Sequence, residues 1–206
     1  VYHSMRTLAG RVLGNLRRQC PALPAPLRDE SRAVLDRQEE IYNRFRRVLE
    51  GKITALRTRC HGDYRLERLL YGGQRFILAD FEGEAGRSLC ERRLKRSPLR
   101  DVAGMLLSLH SAAYRVLHER TARGMRPADL EPWARLWYSW VAATFLREYL
   151  GAAARAPFLP ETSEELAALL DAYLLEQALA RLGSTPAAEP ERARAALKAI
   201  LEVLEG

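Results

Sequence analysis

HGDYRLERLLYGGQRFILADFEGE, residues His61 to Glu84, is the segment where turn chemistry, apolar runs and charged residues constrain one another. Leu69-Leu70-Tyr71 and Phe76-Ile77-Leu78-Ala79 are short apolar runs separated by Gly72-Gly73. Such a pattern predicts a β-hairpin, because glycine alone accepts the positive φ of a tight primed turn without steric cost. A hairpin of that length returns the chain to its start, so Asp63 and Asp80 are expected close together in space. The rest of the chain reads as helix, and the expected fold class is mainly α with one small hairpin.

Two carboxylates flanking a hairpin form a layout used for phosphoryl transfer. There, one Asp accepts the proton of the attacking hydroxyl, an amide five residues on helps hold magnesium, and a second Asp binds the bridging metal. Asp63 fits the first role and Asp80 the last, with Glu82 as a further carboxylate within reach of a metal. The middle position is Arg68, which has no lone pair to offer a cation and repels it. Glu67 next to it does not replace the amide, since adjacent residues of an extended segment point opposite ways.

Residues 61–114, HGDYRLERLLYGGQRFILADFEGEAGRSLCERRLKRSPLRDVAGMLLSLHSAAY, resemble the catalytic core of bacterial maltokinases, including those fused to trehalose synthase. These belong to the aminoglycoside-phosphotransferase-like kinase superfamily. The resemblance extends through YHSMRTLAGRVLGNLRR upstream and through LEPWARLWYSWVAATFLREYL and APFLPETSEELAALLDAYLLEQAL downstream. Where family members read HGDYHLGQVL, this chain has Arg65 for a His and Arg68 for the metal-binding Gln. Their aromatic-acidic pair is replaced by Ala180-Arg181, and their Asn-Arg-Pro-Asp-Trp-like tail by residues 187–191. The resemblance implies Asp63 as base, Asp80 and Glu82 on magnesium (Mg2+), ATP as phosphoryl donor and maltose as acceptor, phosphorylated at its anomeric hydroxyl. It implies His61 and Asp101 as supports of the catalytic loop, Asp101 by holding its backbone.

In such kinases a Lys upstream of the catalytic loop, on a lobe of strands, reaches the phosphates. Lysine stands only at positions 52, 95 and 198, and Lys52 falls in a run that reads as helix. The chain is therefore expected to be a C-terminal lobe, residues 1–206 as one domain, with the N-terminal nucleotide lobe absent. It is either a piece of a longer protein or a gene product that has lost that lobe, and alone it is expected not to phosphorylate maltose. The alternative is a non-catalytic module packed on a partner such as a trehalose synthase domain. A third reading, an anion-binding helical protein, rests on the arginines alone.

The net charge of +7 and pI near 9.7 come almost wholly from arginine. The run Arg87 to Arg96 reads as a basic loop, but no aromatic interleaving accompanies it, so nucleic acid is not an expected partner. No apolar run is long enough to cross a bilayer and no signal-peptide pattern opens the chain, which sets the expectation of a soluble cytoplasmic protein. Cys20, Cys60 and Cys90 have no metal-type spacing and read as reduced thiols, with Cys60 a small buried packing residue.

Helical spacing of Met5, Leu8, Val12 and Leu16 predicts a first helix ending before the Pro21–Pro26 cluster. Val34, Ile41, Phe45 and Val48 predict one longer helix running toward Leu56. Ser97-Pro98 opens another, with Asp101 in the first turn where the helix dipole favours a carboxylate. His110, in mid-helix, reads as a packing residue. Pro132 is expected to open the next helix, on which Trp133, Trp137 and Trp140 share a face. That face is either core or, through Trp137 and Trp140, a stacking wall for a sugar. Gly151 to Pro160 reads as a loop. Thr162 and Glu165 form a capping box for a helix to Leu182, and a last helix spans about Glu189 to Leu204.

Overall fold

The computed structural model describes residues 2–50, 53–83, 88–186 and 188–205; Lys52, Glu84 and Arg87 lie outside them. Eight helices, two single turns of 3-10 helix and one hairpin are present among these residues. Helix α1 (Tyr2–Gln19) buries Met5, Ala9, Val12, Leu13 and Leu16 on one face. It gives way at Cys20-Pro21-Ala22 to a tighter turn. The single helix expected over Val34–Leu56 is instead two, α2 (Ala25–Asp36) and α3 (Gln38–Arg47). Arg37 leaves the helical region at φ −94°, ψ 17°, and its guanidinium grips Glu40 of the next helix at 2.8 and 2.9 Å. The break was hidden because Val34 and Ile41, two turns apart, both face the core. From Ile53 to Arg57 the chain is not helical, and Thr58 forms an isolated bridge to Arg96.

The hairpin pairs β1 (Leu69–Tyr71) with β2 (Phe76–Leu78), antiparallel, in the register Leu69↔Leu78, Leu70↔Ile77, Tyr71↔Phe76. Its turn differs in one respect from the Gly72-Gly73 expectation. Gly72 N–H donates to the Arg75 carbonyl at 3.0 Å, which leaves Gly73 and Gln74 as the central residues. Gly73 alone takes the positive φ, 82°, as a primed turn with glycine first requires.

The segment read as a basic loop contains a short helix, α4 (Leu89–Arg93). A capping box nucleates it: Ser88 Oγ accepts from Glu91 N–H while the Glu91 carboxylate takes the Ser88 N–H. Helix α5 (Leu99–Ala122) begins two residues after Ser97, whose Oγ accepts the Leu99 N–H at 3.3 Å. Helix α6 (Pro127–Ala152) begins earlier than Pro132, because Pro127 takes the first helical position after extended Arg126. Pro132 lies inside it, and the helix runs through Gly151, leaving a shorter connection than expected. Helix α7 (Ser163–Ser184) is capped by Thr162, whose hydroxyl accepts the Glu165 N–H. The Glu165 carboxylate does not complete the box but takes the Thr54 hydroxyl at 3.1 Å, tying that non-helical segment down. Helix α8 (Pro190–Glu205) closes the chain.

Helices α5 and α7 form the centre, with α6 and α8 against α5, and α1 and α3 against α7. Both central helices bury small residues, Ala103 on α5 and Ala172 and Ala178 on α7. His110 is buried in this core, where its Nε2 meets Glu202 of α8 at 3.1 Å. The tryptophans are not core: Trp133, Trp137 and Trp140 are 69%, 45% and 70% exposed. The inner face of α6 is the competing row Tyr138, Ala142, Phe145 and Tyr149, which has the same helical spacing. Cys60 is half-buried and Cys90 exposed, so only Cys20 is a fully packed thiol.

Candidate active site

The loop from Cys60 to Arg68 is held over the N-terminal half of α5. Asp101, in the first turn of α5, accepts the His61 N–H at 2.6 Å and the Gly62 N–H at 2.9 Å. Burial pushes this carboxyl above its ordinary pKa, although the two backbone donors oppose the shift. His61 is itself buried, and its Nε2 donates to the Ala79 carbonyl at 2.9 Å while Nδ1 accepts the Asp63 N–H at 3.3 Å. The ring thereby joins the loop to the end of β2, and it also packs on Phe81 at 4.8 Å between centroids. Deeper in, Gly104 passes close beneath the loop. A Cβ there would stand 2.9 Å from the Tyr64 carbonyl, so only glycine lets α5 come this near.

The hairpin brings Asp63 and Asp80 to one place, and Arg68 stands between them. Its Nε and Nη2 donate to Asp63 Oδ2 at 2.9 and 2.8 Å, and its Nη1 donates to Asp80 Oδ2. Hydrogen bonding to Asp63 holds the Arg68 guanidinium above its ordinary pKa. Arg65 adds a second cation, with Nε 3.2 Å from the other Asp63 oxygen. Asp80 sits at φ 62°, a left-handed conformation costly for a residue with a Cβ and concentrated at functional sites. Glu82 is exposed and has no ion pair among the described residues.

The kinase-like layout implies magnesium. The oxygens of Asp63 and Asp80 that face each other are both taken by one guanidinium. Among the described residues no group of three or more His, Cys, Asp or Glu side chains gathers as a metal site. The residues as arranged do not fit the ion: a cation occupies the place between the carboxylates that a cation would need.

Beside this cluster opens a cavity of about 690 Å³ between the loop, α5, the end of α7 and the start of α8. Asp63 is on its wall, whereas Trp137 and Trp140 are not. Glu67 also lines it, in a turn of 3-10 helix (Leu66–Arg68) rather than on an extended strand, and takes the Ser108 hydroxyl at 3.4 Å. Arg181 is a wall residue whose place in the site the sequence left unassigned. It stands where the resembling family carries an acid, and that substitution was the available signal.

No protein-family model matches the sequence. Among solved structures, a glucosamine kinase superposes on 100% of this chain with a TM-score of 0.69 at 20% identity. A second crystal form gives 0.63 at 19%, and a glucosamine kinase in complex with glucosamine, ADP and inorganic phosphate gives 0.63 at 18%. This chain shares the fold of sugar kinases. It spans about half of their length, 45–47% of each chain. The match places the mainly helical architecture and its hairpin within a kinase-like fold.

Proposed function

We propose that this chain is the acceptor-binding half of a sugar phosphotransferase, a C-terminal lobe of the maltokinase type, whose phosphoryl transfer is arrested by Arg68. The observation that carries the reading is the Arg68 bridge from Asp63 to Asp80. In this reading Asp63 is the base that takes the proton of a sugar hydroxyl in the adjoining cavity. Its oxygens are occupied by Arg65 and Arg68, so it meets a hydroxyl poorly until that bridge opens. His61 and Asp101 support the reading by fixing the loop backbone that carries Asp63. ATP is the donor expected from the kinase-like fold, and maltose the acceptor expected from the sequence resemblance.

The test is coupled ADP release by the full-length gene product with ATP, magnesium and maltose. Turnover is expected to match the no-sugar background. Where that gene product carries a nucleotide lobe, Arg68→Gln is expected to raise it roughly 10–100-fold, the range of changes around metal ligands. An unchanged rate in that variant removes Arg68 from the explanation.

A second reading, a non-catalytic module covered by a partner domain, is favoured by the hairpin surface. Leu70 and Ile77 on one face of the hairpin, Tyr71 and Phe76 on the other, and Phe81 beyond it are each more than half exposed, apolar surface of the kind that a partner covers. Absence of ADP release in the Arg68→Gln protein favours this reading over the first.

A further inference from the structure

The cavity wall carries more positive charge than its carboxylates answer. Six arginines and four carboxylates line it; Arg68, Arg100 and Arg192 also pair with Asp80, Glu176 and Glu189 outside the wall, and each wall carboxylate already has a partner. Asp63 is held by Arg65 and Arg68, Asp101 by two backbone N–H groups, Glu67 by Ser108, and Glu191 by His118 at 3.0 Å. Arg181 enters from α7 and is partly buried. It donates only to neutral acceptors, the Leu107 and Gly104 carbonyls at 3.2 and 3.3 Å and Ser111 Oγ at 2.9 Å. No carboxylate lies within 4 Å of it among the described residues, although Glu67 is near enough to feel its charge. Burial and the neighbouring Arg65 pull its pKa down to about 10, the expected response of a cation short of counter-charge. Arg115, one turn beyond Ser111 on α5, has no partner among the described residues, and the Nη groups of Arg65 make no hydrogen bond.

A guanidinium held in place by neutral carbonyls, with further donors free beside it, is prepared for an anion. We propose that the cavity binds a sugar bearing an acid group, a carboxylate or a phosphate, with Arg181 as its principal anchor and Arg65 and Arg115 at the rim. The proposal rests on the reading of this cavity as the acceptor site, and it assigns that site an acidic sugar in place of the neutral maltose expected from the resemblance. An amino sugar would present an ammonium to the same wall and be repelled.

The experiment measures binding to the full chain by calorimetry without nucleotide, so its outcome is independent of whether phosphoryl transfer occurs. The probes are glucuronate, glucose 6-phosphate, glucose, glucosamine and inorganic phosphate. At least one acidic sugar is expected to bind about tenfold or more tighter than glucose, as a charge-assisted pair provides, with glucosamine weakest. Glucuronate and glucose 6-phosphate separate a carboxylate site from a phosphate site. Inorganic phosphate binding as tightly as either sugar would show a bare anion site and overturn the sugar assignment. Arg181→Gln is expected to abolish the preference for acid over glucose, while a merely bracing arginine would leave that ratio unchanged. Should that variant not fold, Arg115→Gln, an exposed position, is expected to lower the ratio severalfold. Equal affinity for glucose and both acids, or no binding of either acid, overturns the proposal.

Discussion

Replacing Arg68 by Gln removes the guanidinium from between Asp63 and Asp80 and leaves two carboxylates with an amide beside them. The Asp63 half of the bridge is largely enclosed, with 17% of the Asp63 side chain and 24% of Arg68 exposed. Its two charge-assisted bonds stabilise the fold by about 1.5 kcal/mol. The Asp80 half is 60% exposed on the acid's side and is screened, so it adds about 0.5 kcal/mol or less. Glutamine retains one hydrogen bond and Arg65 still answers Asp63, so the net loss is about 1 kcal/mol. For a chain of this size that lowers Tm by about 2–4 °C.

A divalent ion changes the comparison. Two unit charges at 4 Å interact by about 4 kcal/mol at an effective dielectric of 20, and a divalent ion doubles this. Even halved for the open side of the site, the repulsion from Arg68 exceeds the roughly 1.4 kcal/mol that a ligand at ten times its Kd contributes. Wild type is therefore expected to show no Tm response to magnesium or manganese. The variant is expected to regain its lost 2–4 °C. Differential scanning fluorimetry of both proteins across a metal titration, with calcium as control, makes the check. Equal shifts in the two proteins, or no shift in the variant, would refute the claim that the guanidinium occupies a cation's place.

Three further outcomes follow from the geometry. Gly104→Ala adds a methyl 2.9 Å from the Tyr64 carbonyl, and although alanine favours helix by about 1 kcal/mol, the clash is expected to win by about 1–3 kcal/mol in urea unfolding. A neutral result would mean that the loop from Cys60 to Arg68 yields. Burial raises the Glu202 pKa, but hydrogen bonds from His110 and Tyr114 outweigh it and hold the carboxyl below its ordinary 4.5. A depressed carboxylate stabilises above that value and loses its contribution as pH falls through the lower folded value. The urea midpoints of wild type and Glu202→Gln should therefore converge below about pH 4.5, and a gap that widens there contradicts the assignment. Trp140→Ala should cost less than about 0.5 kcal/mol, because the ring is 70% exposed; a loss of several kcal/mol would mean that it packs.

Local chemistry alone determined the hairpin, its flanking acids, and the start of helices at Ser97-Pro98 and Thr162, because turns and caps depend on a few adjacent residues. The same rule was present at Ser88–Glu91, where the density of arginine obscured it. Helix continuity through Arg37 and the choice between two apolar faces on α6 were beyond that reach. Periodicity counts apolar positions but does not say which neighbour will cover them, and only the packing of α5, α7 and their flanking helices selects Tyr138 over Trp137. The identity of Arg68 was legible as an oddity in a charged motif. That it spans both carboxylates, and that Arg181, 113 positions on in sequence, shares a cavity with it, depends on tertiary placement. Coulombic interactions act through space, and sequence separation carries no information about them.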